Sequence, residues 1–370
     1  LDNVGYAIIG STGVIGKTHI AAIQQLDNCR VAGIYARSQE PLRKQASELG
    51  VKPFATLDDV LADPEIDAVI IATPHPSHAE ITLSAASAGK HILVEKPLSV
   101  TPSEADAMIG AARKANVKLG VLFNQRFRPD VQKMREIVDS GTIGRIYRTS
   151  LVHATMRTQD YYDRLGWRGT WGDEGGGVLI NQGIHSIDLF QWLGGMPKSL
   201  YGAVSAFKHK IEVEDYASAI LEYDGGVHGT IHCNTVQAPN QVRVELWGEN
   251  GAIVYENGSV TLHRLETSVQ EYIDTDKTIA YVPPKSESET FTFEPSGSGH
   301  VPALGDFADA IIENREPYIT GEDGLRSQEL VAAITLSGCT GESVGLPVDR
   351  ARYDSLMGEL KKLKKIPSRG

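Results

Sequence analysis

The stretch Tyr6-Ala7-Ile8-Ile9-Gly10-Ser11-Thr12-Gly13-Val14-Ile15-Gly16-Lys17-Thr18-His19 carries the reading that decides the fold. Tyr6–Gly10 is a short apolar run and reads as a buried strand, and the residues from the glycine-rich turn through about Leu26 read as a helix. The glycines between them are spaced G-x-x-G-x-x-G, one residue longer than the common dinucleotide fingerprint. Glycine at such a turn lets the backbone approach a pyrophosphate, whose charge is met by free N–H groups at the helix start. A tight strand-to-helix turn without a ligand is the alternative.

The next hundred or so residues favour the ligand. Arg30–Tyr35 reads as a strand, Glu40–Gly50 as a glycine-ended helix, and Leu57–Ala62 as a short helix. Asp67–Ala72 is a β-branched apolar run, His78–Gly89 reads as a helix and His91–Val94 as a strand. Ser103–Ala115, capped by Thr101 or Ser103, and Lys118–Phe123 close the series. Strands alternating with helices imply right-handed crossovers and a parallel doubly wound sheet. The fold class is therefore α/β, an N-terminal Rossmann domain expected over 1–124.

Beyond it the pattern changes. Arg128–Ser140 reads as a helix, Arg145–Met156 as a strand, and Val178–Leu193 as a long apolar-periodic helix. From Ser199 to about Phe293 strands are grouped, including the hairpin Ala217–Tyr223 and Val227–Cys233 about Asp224-Gly225-Gly226, and the pair Val242–Trp247 and Ala252–Glu256. Grouped strands predict a large open mixed or antiparallel sheet. Pro302–Glu313 and Gly324–Gly341 return to helix, and the paired lysines Lys361-Lys362 and Lys364-Lys365 read as a solvated helix end. The second domain is expected over 125–370, for substrate and oligomerisation, with C-terminal helices able to pack back on the first.

Composition narrows the function. The chain has 370 residues, 41% hydrophobic and 22% charged, which is globular and fits more than one core. Its 36 basic and 47 acidic side chains give a net charge of −11, which disfavours nucleic acid, anionic lipid and large polyanions. No apolar run approaches the roughly 20 residues of a membrane helix. Cys29, Cys233 and Cys339 are scattered, with neither disulfide nor metal-ligand spacing, so no metal is expected and a reducing, cytoplasmic setting fits. No signal peptide is visible; the chain opens on Leu1, so a removed leader stays open.

Candidate chemistry sits at two places. Val94-Glu95-Lys96-Pro97 follows an apolar strand at the carboxyl edge of the first sheet, where such sheets bind ligands. The Lys96 ammonium there can hydrogen-bond a reacting oxygen and favour its anion; a surface lysine is the alternative. Gly175-Gly176-Gly177 leads to Asn181 and His185, which lie on one face if this is a helix. The triple glycine reads as a helix entry with room for a substrate. His185 titrates near neutrality and can take a proton as hydride leaves the same carbon, with a satisfied core histidine as the alternative. At the end of the second strand, Tyr35-Ala36-Arg37-Ser38 offers no acid for a ribose, so Arg37 and Ser38 favour a 2′-phosphate and NADP over NAD.

Together these residues resemble the glucose–fructose oxidoreductase, inositol dehydrogenase and rhizopine catabolism (Gfo/Idh/MocA) family. The matching pieces run in order: the glycine turn ending Gly16-Lys17-Thr18-His19, Ala72-Thr73-Pro74 with His78, Ala88-Gly89-Lys90-His91, and Glu95-Lys96-Pro97. Asn124-Gln125-Arg126-Phe127, Trp167-Arg168 and Gly175–Asp188 complete the set. The resemblance implies an NAD(P)-dependent oxidoreductase acting on a sugar or cyclitol, with Lys96 and His185 around the reacting carbon. It implies dinucleotide contacts at Gly10, Ser11, Thr12, Gly13, Val14, Ile15, Arg37, Thr73, Pro74, His78, Glu95, Lys96 and Gln125, with Trp167 and Arg168 approaching cofactor or substrate. Arg126, Tyr161, Tyr162, Asp163, Arg164 and Trp167 are candidate pocket residues, beside Lys96, Asn181 and His185. A homodimer or homotetramer through the open sheet is also implied. Many polyol-oxidising relatives carry aspartate where this chain has Asn181, which leaves Lys96 and His185 as the expected pair. Two other functions share the fold: a glycoside hydrolase that uses bound NAD transiently, and a non-catalytic dinucleotide-binding regulator.

Overall fold

Strands and helices alternate through the first third of the chain because short β-branched runs are punctuated by glycine and by good helix caps. The order is β1 (Val4–Ile9), α1 (Val14–Ile23), β2 (Cys29–Tyr35), α2 (Gln39–Leu49), β3 (Lys52–Pro53), α3 (Leu57–Ala62), β4 (Ala68–Ile71), α4 (His78–Ser87), β5 (His91–Val94), α5 (Pro102–Ala115) and β6 (Leu119–Val121). Thr56 with Asp59 and Thr101 with Glu104 form reciprocal capping boxes at the starts of α3 and α5. The strands pair in parallel in the order β3-β2-β1-β4-β5-β6. β1 and β4 are buried along their whole length, as expected of parallel strands covered on both faces. The order reverses between β1 and β4, where a doubly wound sheet opens a crevice at its carboxyl edge.

The chain continues as α6 (Pro129–Asp139), β7 (Ile146–Ala154), α7 (Gln159–Asp163), α8 (Ile184–Gly194), β8 (Ser199–Ser205), β9 (Tyr216–Glu222), β10 (His228–Asn234), β11 (Gln241–Gly248), β12 (Gly251–Glu256), β13 (Ser259–Leu265), α9 (Val269–Thr275) and β14 (Ser286–Phe291). It ends with α10 (His300–Ile312), α11 (Gly321–Thr340), β15 (Val344–Gly345) and α12 (Arg350–Leu363). Nine of the strands form one sheet, β14-β13-β12-β11-β7-β10-β9-β8-β15, antiparallel throughout except for the parallel pair β7 and β10. Burial alternates along β9 and β10: Ala217, Ala219, Leu221, Ile231 and Cys233 point into the core. The other face carries the exposed cross-strand pair Tyr201 and Ile220.

The structure is a computed structural model and describes residues 2–275, 281–294 and 297–367. Its contacts divide the chain into two units. The first is Leu1–Phe127 with Gly172–Gly175 and Gly297–Gln328; the second is Arg128–Trp171 with Gly176–Ser296 and Glu329–Gly370. In the first unit α10 packs on α1, and Leu304, Phe307 and Ala308 join the core of β1 and β2. Among the described residues, no helix is long and apolar enough to cross a membrane.

The sequence reading of a helix over Val178–Leu193 is corrected. Only Ile184–Gly194 is helical, and the residues before it form turns. The cause is a buried carboxylate that competes for the backbone. Glu214 Oε1 and Oε2 accept from the Gly177 N–H at 2.9 and 3.0 Å, and Oε1 accepts from Leu179 N–H at 3.0 Å. The Val178 N–H goes to the Glu214 carbonyl at 2.9 Å. Asn181 therefore lies in the turn that enters α8, not on its face with His185. The triple glycine has a packing reason too. A Cβ on Gly177 would stand 1.9 Å from the Glu214 carbonyl oxygen, so this glycine admits a backbone neighbour rather than leaving room for a substrate.

Candidate active site

The carboxyl edge of the first sheet is built residue by residue from strand ends. Gly10 leaves β1 with φ of 93°, and a Cβ there would meet the Ala72 carbonyl at 2.5 Å. At Gly16 a Cβ would stand 2.6 Å from the Gly10 carbonyl oxygen and 2.7 Å from Ser11 Cα. The protein itself thus requires the first and third glycines. Gly13 is different: it is exposed, has φ of −70°, and its nearest neighbour to a built Cβ is 3.4 Å away. It is also the N-cap of α1 and offers no side chain to the first turn. Free N–H groups at a helix start with an uncovered Cα beside them fit a pyrophosphate pressed against the backbone. The residues present fit a dinucleotide.

The neighbouring loops supply the rest of that edge. Arg37 and Ser38 are exposed directly after β2. After β4, the Ser77 hydroxyl donates to Thr73 Oγ1 at 2.7 Å, and Pro74 leads into the turn before α4. His78 is fully buried, with Nε2 at 2.9 Å from the Thr73 carbonyl and Nδ1 at 2.9 Å from the Pro97 carbonyl. It ties the loop after β4 to the loop after β5. Burial lowers its pKa, while the two carbonyl oxygens pull the other way. His75 beside it bonds the Glu174 carbonyl through Nδ1 at 2.9 Å, and burial, with His78 and Lys96 near it, lowers its pKa to about 3.

Lys96 is half-buried and directly follows the buried Glu95. Glu95 accepts from His19 Nε2 at 2.8 Å through Oε1, and from the Lys96 backbone N–H at 3.1 Å through Oε2. Burial raises a carboxyl pKa, but the His19 hydrogen bond and the charges of His19 and Lys96 outweigh it here and carry Glu95 to about 2. An ionised Glu95 makes His19 Nε2 the donor, leaving its buried Nδ1 without a hydrogen-bond partner among the described residues. The His300 ring, at the start of α10, meets the His19 ring edge-on at 5.4 Å. Sequence reasoning names Glu95 as a cofactor contact and quotes His19 only as the end of the glycine turn, with no site role, while His300, from a distant helix, goes unnamed. Gln125 is half-buried in the short turn Asn124–Phe127 after β6. Its neighbour Arg126 is 1% exposed and paired with Asp323 at 3.5 Å.

The second unit holds the other group of expected residues. His185 lies in the first turn of α8 and is half-buried. Ser186, next to it, bonds His153 Nδ1 at 2.8 Å. Tyr162 is 4% exposed, and its hydroxyl is within 2.9 Å of Thr235 Oγ1. Tyr161 is the more open of the two tyrosines. Its hydroxyl accepts from Gln182 Nε2 at 3.0 Å and from Asn181 Nδ2 at 3.5 Å, and Arg168 lies over its ring at 3.9 Å. Arg168 also lies 5.3 Å from the Trp167 ring.

Two family models match the chain. The family model described as "Oxidoreductase family, NAD-binding Rossmann fold" matches residues 4–123, and "GFO/IDH/MocA C-terminal domain" matches residues 131–254. A 1,5-anhydro-D-fructose reductase of Ensifer adhaerens is 28% identical over 348 residues, covering 91% of this chain and 97% of the relative. A myo-inositol 2-dehydrogenase of Thermotoga maritima is 27% identical over 322 residues, 84% of this chain and 90% of the relative. Among solved structures, the WlbA dehydrogenase from Bordetella pertussis, in complex with NADH and UDP-GlcNAcA, superposes with a TM-score of 0.78 at 28% identity, covering 94% of this chain and all of that one.

Proposed function

The chain belongs to the GFO/IDH/MocA family of NAD(P)-dependent oxidoreductases, and we propose that it moves a hydride between the nicotinamide and a secondary alcohol or ketone carbon of a sugar or cyclitol. The observation that carries the reading is the pairing of an open dinucleotide cradle at Gly13 with Lys96 on the same sheet edge, its backbone N–H held by Glu95. Relatives of nearly the same length that act on anhydrofructose and inositol support the substrate class.

When bound, the nicotinamide supplies a two-electron hydride acceptor or donor. In the oxidising direction His185 takes the proton of the substrate hydroxyl as hydride leaves the same carbon. The Lys96 ammonium donates to that oxygen and stabilises the charge that develops on it. In reverse, His185 returns the proton to the ketone oxygen. Asn181 binds or orients but carries no charge to hold an imidazolium. Arg126 and Tyr162, turned to Asp323 and Thr235, serve the scaffold.

Arg37 and Ser38, with no acid at the end of β2, favour NADP, and NAD is the alternative. Tyr201 and Ile220, exposed across from one another on the nine-stranded sheet, favour a homodimer or homotetramer through that face. The three cysteines are free thiols, which suits the cytoplasm.

The test is a panel of sugars and cyclitols, with NAD and with NADP, followed through the near-ultraviolet absorbance of the reduced nicotinamide. Net turnover of a polyol or its ketone is expected. Lys96→Ala and His185→Ala are each expected still to bind cofactor and to lose about 10²–10³ in turnover. Full activity in either variant, or no turnover on the whole panel, contradicts the reading.

A further inference from the structure

The arginines of the second unit are mostly spent on carboxylates. Arg128 pairs with Asp130, Arg135 with Asp139, Arg243 with Glu245 and Arg350 with Glu329. Arg157 and Arg168 have no acidic partner among the described residues, yet both converge on one ring. Their guanidinium carbons lie 5.1 and 3.9 Å from the centroid of Tyr161.

Among the described residues, each guanidinium donates to the protein through one nitrogen only. Arg157 Nη1 donates to Thr155 Oγ1 at 3.0 Å and to the Met156 carbonyl at 2.9 Å. Arg168 Nη1 donates to the Tyr161 carbonyl at 3.2 Å, while its Nε is buried with no hydrogen-bond partner among the described residues. Gln182, whose amide nitrogen reaches the Tyr161 hydroxyl, likewise keeps a buried Oε1 without a partner.

Two like charges gathered on one tyrosine repel one another. A ring face returns only about 0.5–1 kcal/mol to an exposed cation, and a buried unpaired donor costs about 1–3 kcal/mol. The arrangement is explained if an anion completes it. A guanidinium fork suits a carboxylate or a phosphate, which accept two parallel N–H bonds. The cluster also bears on the candidate chemistry, because Asn181 and Gln182 lie in the turn that enters α8, the helix that carries His185.

We propose that Arg157, Arg168 and Tyr161 hold an anionic group, a carboxylate or a phosphate, on the sugar substrate. This rests on the sugar oxidoreductase reading and narrows its substrate class to sugar acids or sugar phosphates. Arg168 is expected from sequence to meet cofactor or substrate and Tyr161 to line the pocket; Arg157 is expected in neither role.

The test is calorimetric titration of the NADH-loaded enzyme with matched probes from the gluco, galacto and manno series: the hexose, its hexuronate and its 6-phosphate. At least one anionic probe is expected to bind about tenfold tighter than its neutral parent, and the stronger of the two identifies the anion. In Arg157→Gln that advantage is expected to fall below about threefold, with NADH affinity unchanged and Arg157→Lys keeping part of it. Added salt is expected to weaken the anionic probes only. The proposal is overturned if no anionic probe binds better than its parent, if the advantage survives in Arg157→Gln, or if that substitution weakens NADH instead. Turnover of neutral hexoses without any anionic preference defeats this inference alone. Absence of turnover on every sugar defeats the oxidoreductase reading on which it stands.

Discussion

At the edge of the first sheet, four of the residues expected to meet the dinucleotide lie within two positions of a strand end: Gly10 after β1, Arg37 after β2, Thr73 after β4 and Glu95 after β5. The residues around Tyr161 in the second unit are assembled differently. They come from the residues after β7, from α7 and the loop after it, and from the turn before α8, and that turn is fixed by Glu214, more than thirty positions further on. The first arrangement is set by local geometry, so its glycines and strand ends each have a short-range reason. The second depends on a buried carboxylate far away in sequence, so it should fail as a whole when that one group is removed.

The sharpest way to break this contrast is Glu214→Ala. It leaves the Gly177 and Leu179 N–H groups buried and unpaired, at about 1–3 kcal/mol each, so a loss of at least about 2 kcal/mol in chemical unfolding is expected. NADH binding by the folded protein should persist, because the cradle does not use Glu214. A variant as stable as the parent would show that the turn before α8 is held by something else.

A smaller effect separates the glycines of the first turn. Gly16→Ala forces a Cβ against backbone at 2.6 Å and should cost about 1–3 kcal/mol. Gly13→Ala has room and should leave stability within about 0.5 kcal/mol, yet weaken NADH by about tenfold. Fluorescence titration and thermal unfolding of the two variants check this together. Equal loss of stability in both would mean that Gly13 serves packing rather than the ligand.

The last effect concerns protons. His75 has its pKa lowered by burial from 6.5 to about 3, so between those values the unfolded chain binds a proton that the folded chain refuses. Its contribution to stability is fully present above the unfolded value and is lost as pH falls toward the folded one, at no more than about 1.4 kcal/mol per pH unit. His75→Asn should therefore flatten the fall in unfolding free energy between neutral and mildly acidic pH. An unchanged slope would show that the buried ring does not govern it.

The same contrast explains what can be read from the amino-acid order. The doubly wound sheet is legible because Tyr6–Gly10, Asp67–Ala72 and His91–Val94 are apolar runs separated by turn and cap signals, and periodicity is a local property. Lys96 is legible for the same reason, lying just past a strand end. A helix over Val178–Leu193 is an overreading, since its apolar spacing persists through residues whose N–H groups Glu214 captures. Arg157 gives no signal, because an arginine becomes informative only when its neighbours are known and none proves to be an acid. Arg126 and Tyr162 read as pocket residues by type; that Asp323 lies 3.5 Å from one guanidinium nitrogen and Thr235 2.9 Å from the hydroxyl is invisible in the sequence, because both partners are distant in the chain.

The central claim is that Lys96 and His185 serve one substrate oxygen beside the nicotinamide. A crystal structure of the chain with NADH and a bound sugar or cyclitol tests it most directly. The account predicts Lys96 Nζ and a ring nitrogen of His185 both within about 2.6–3.2 Å of the same oxygen, on a carbon facing the nicotinamide. Those two side chains lining separate cavities, or a nicotinamide site filled by protein, would contradict it.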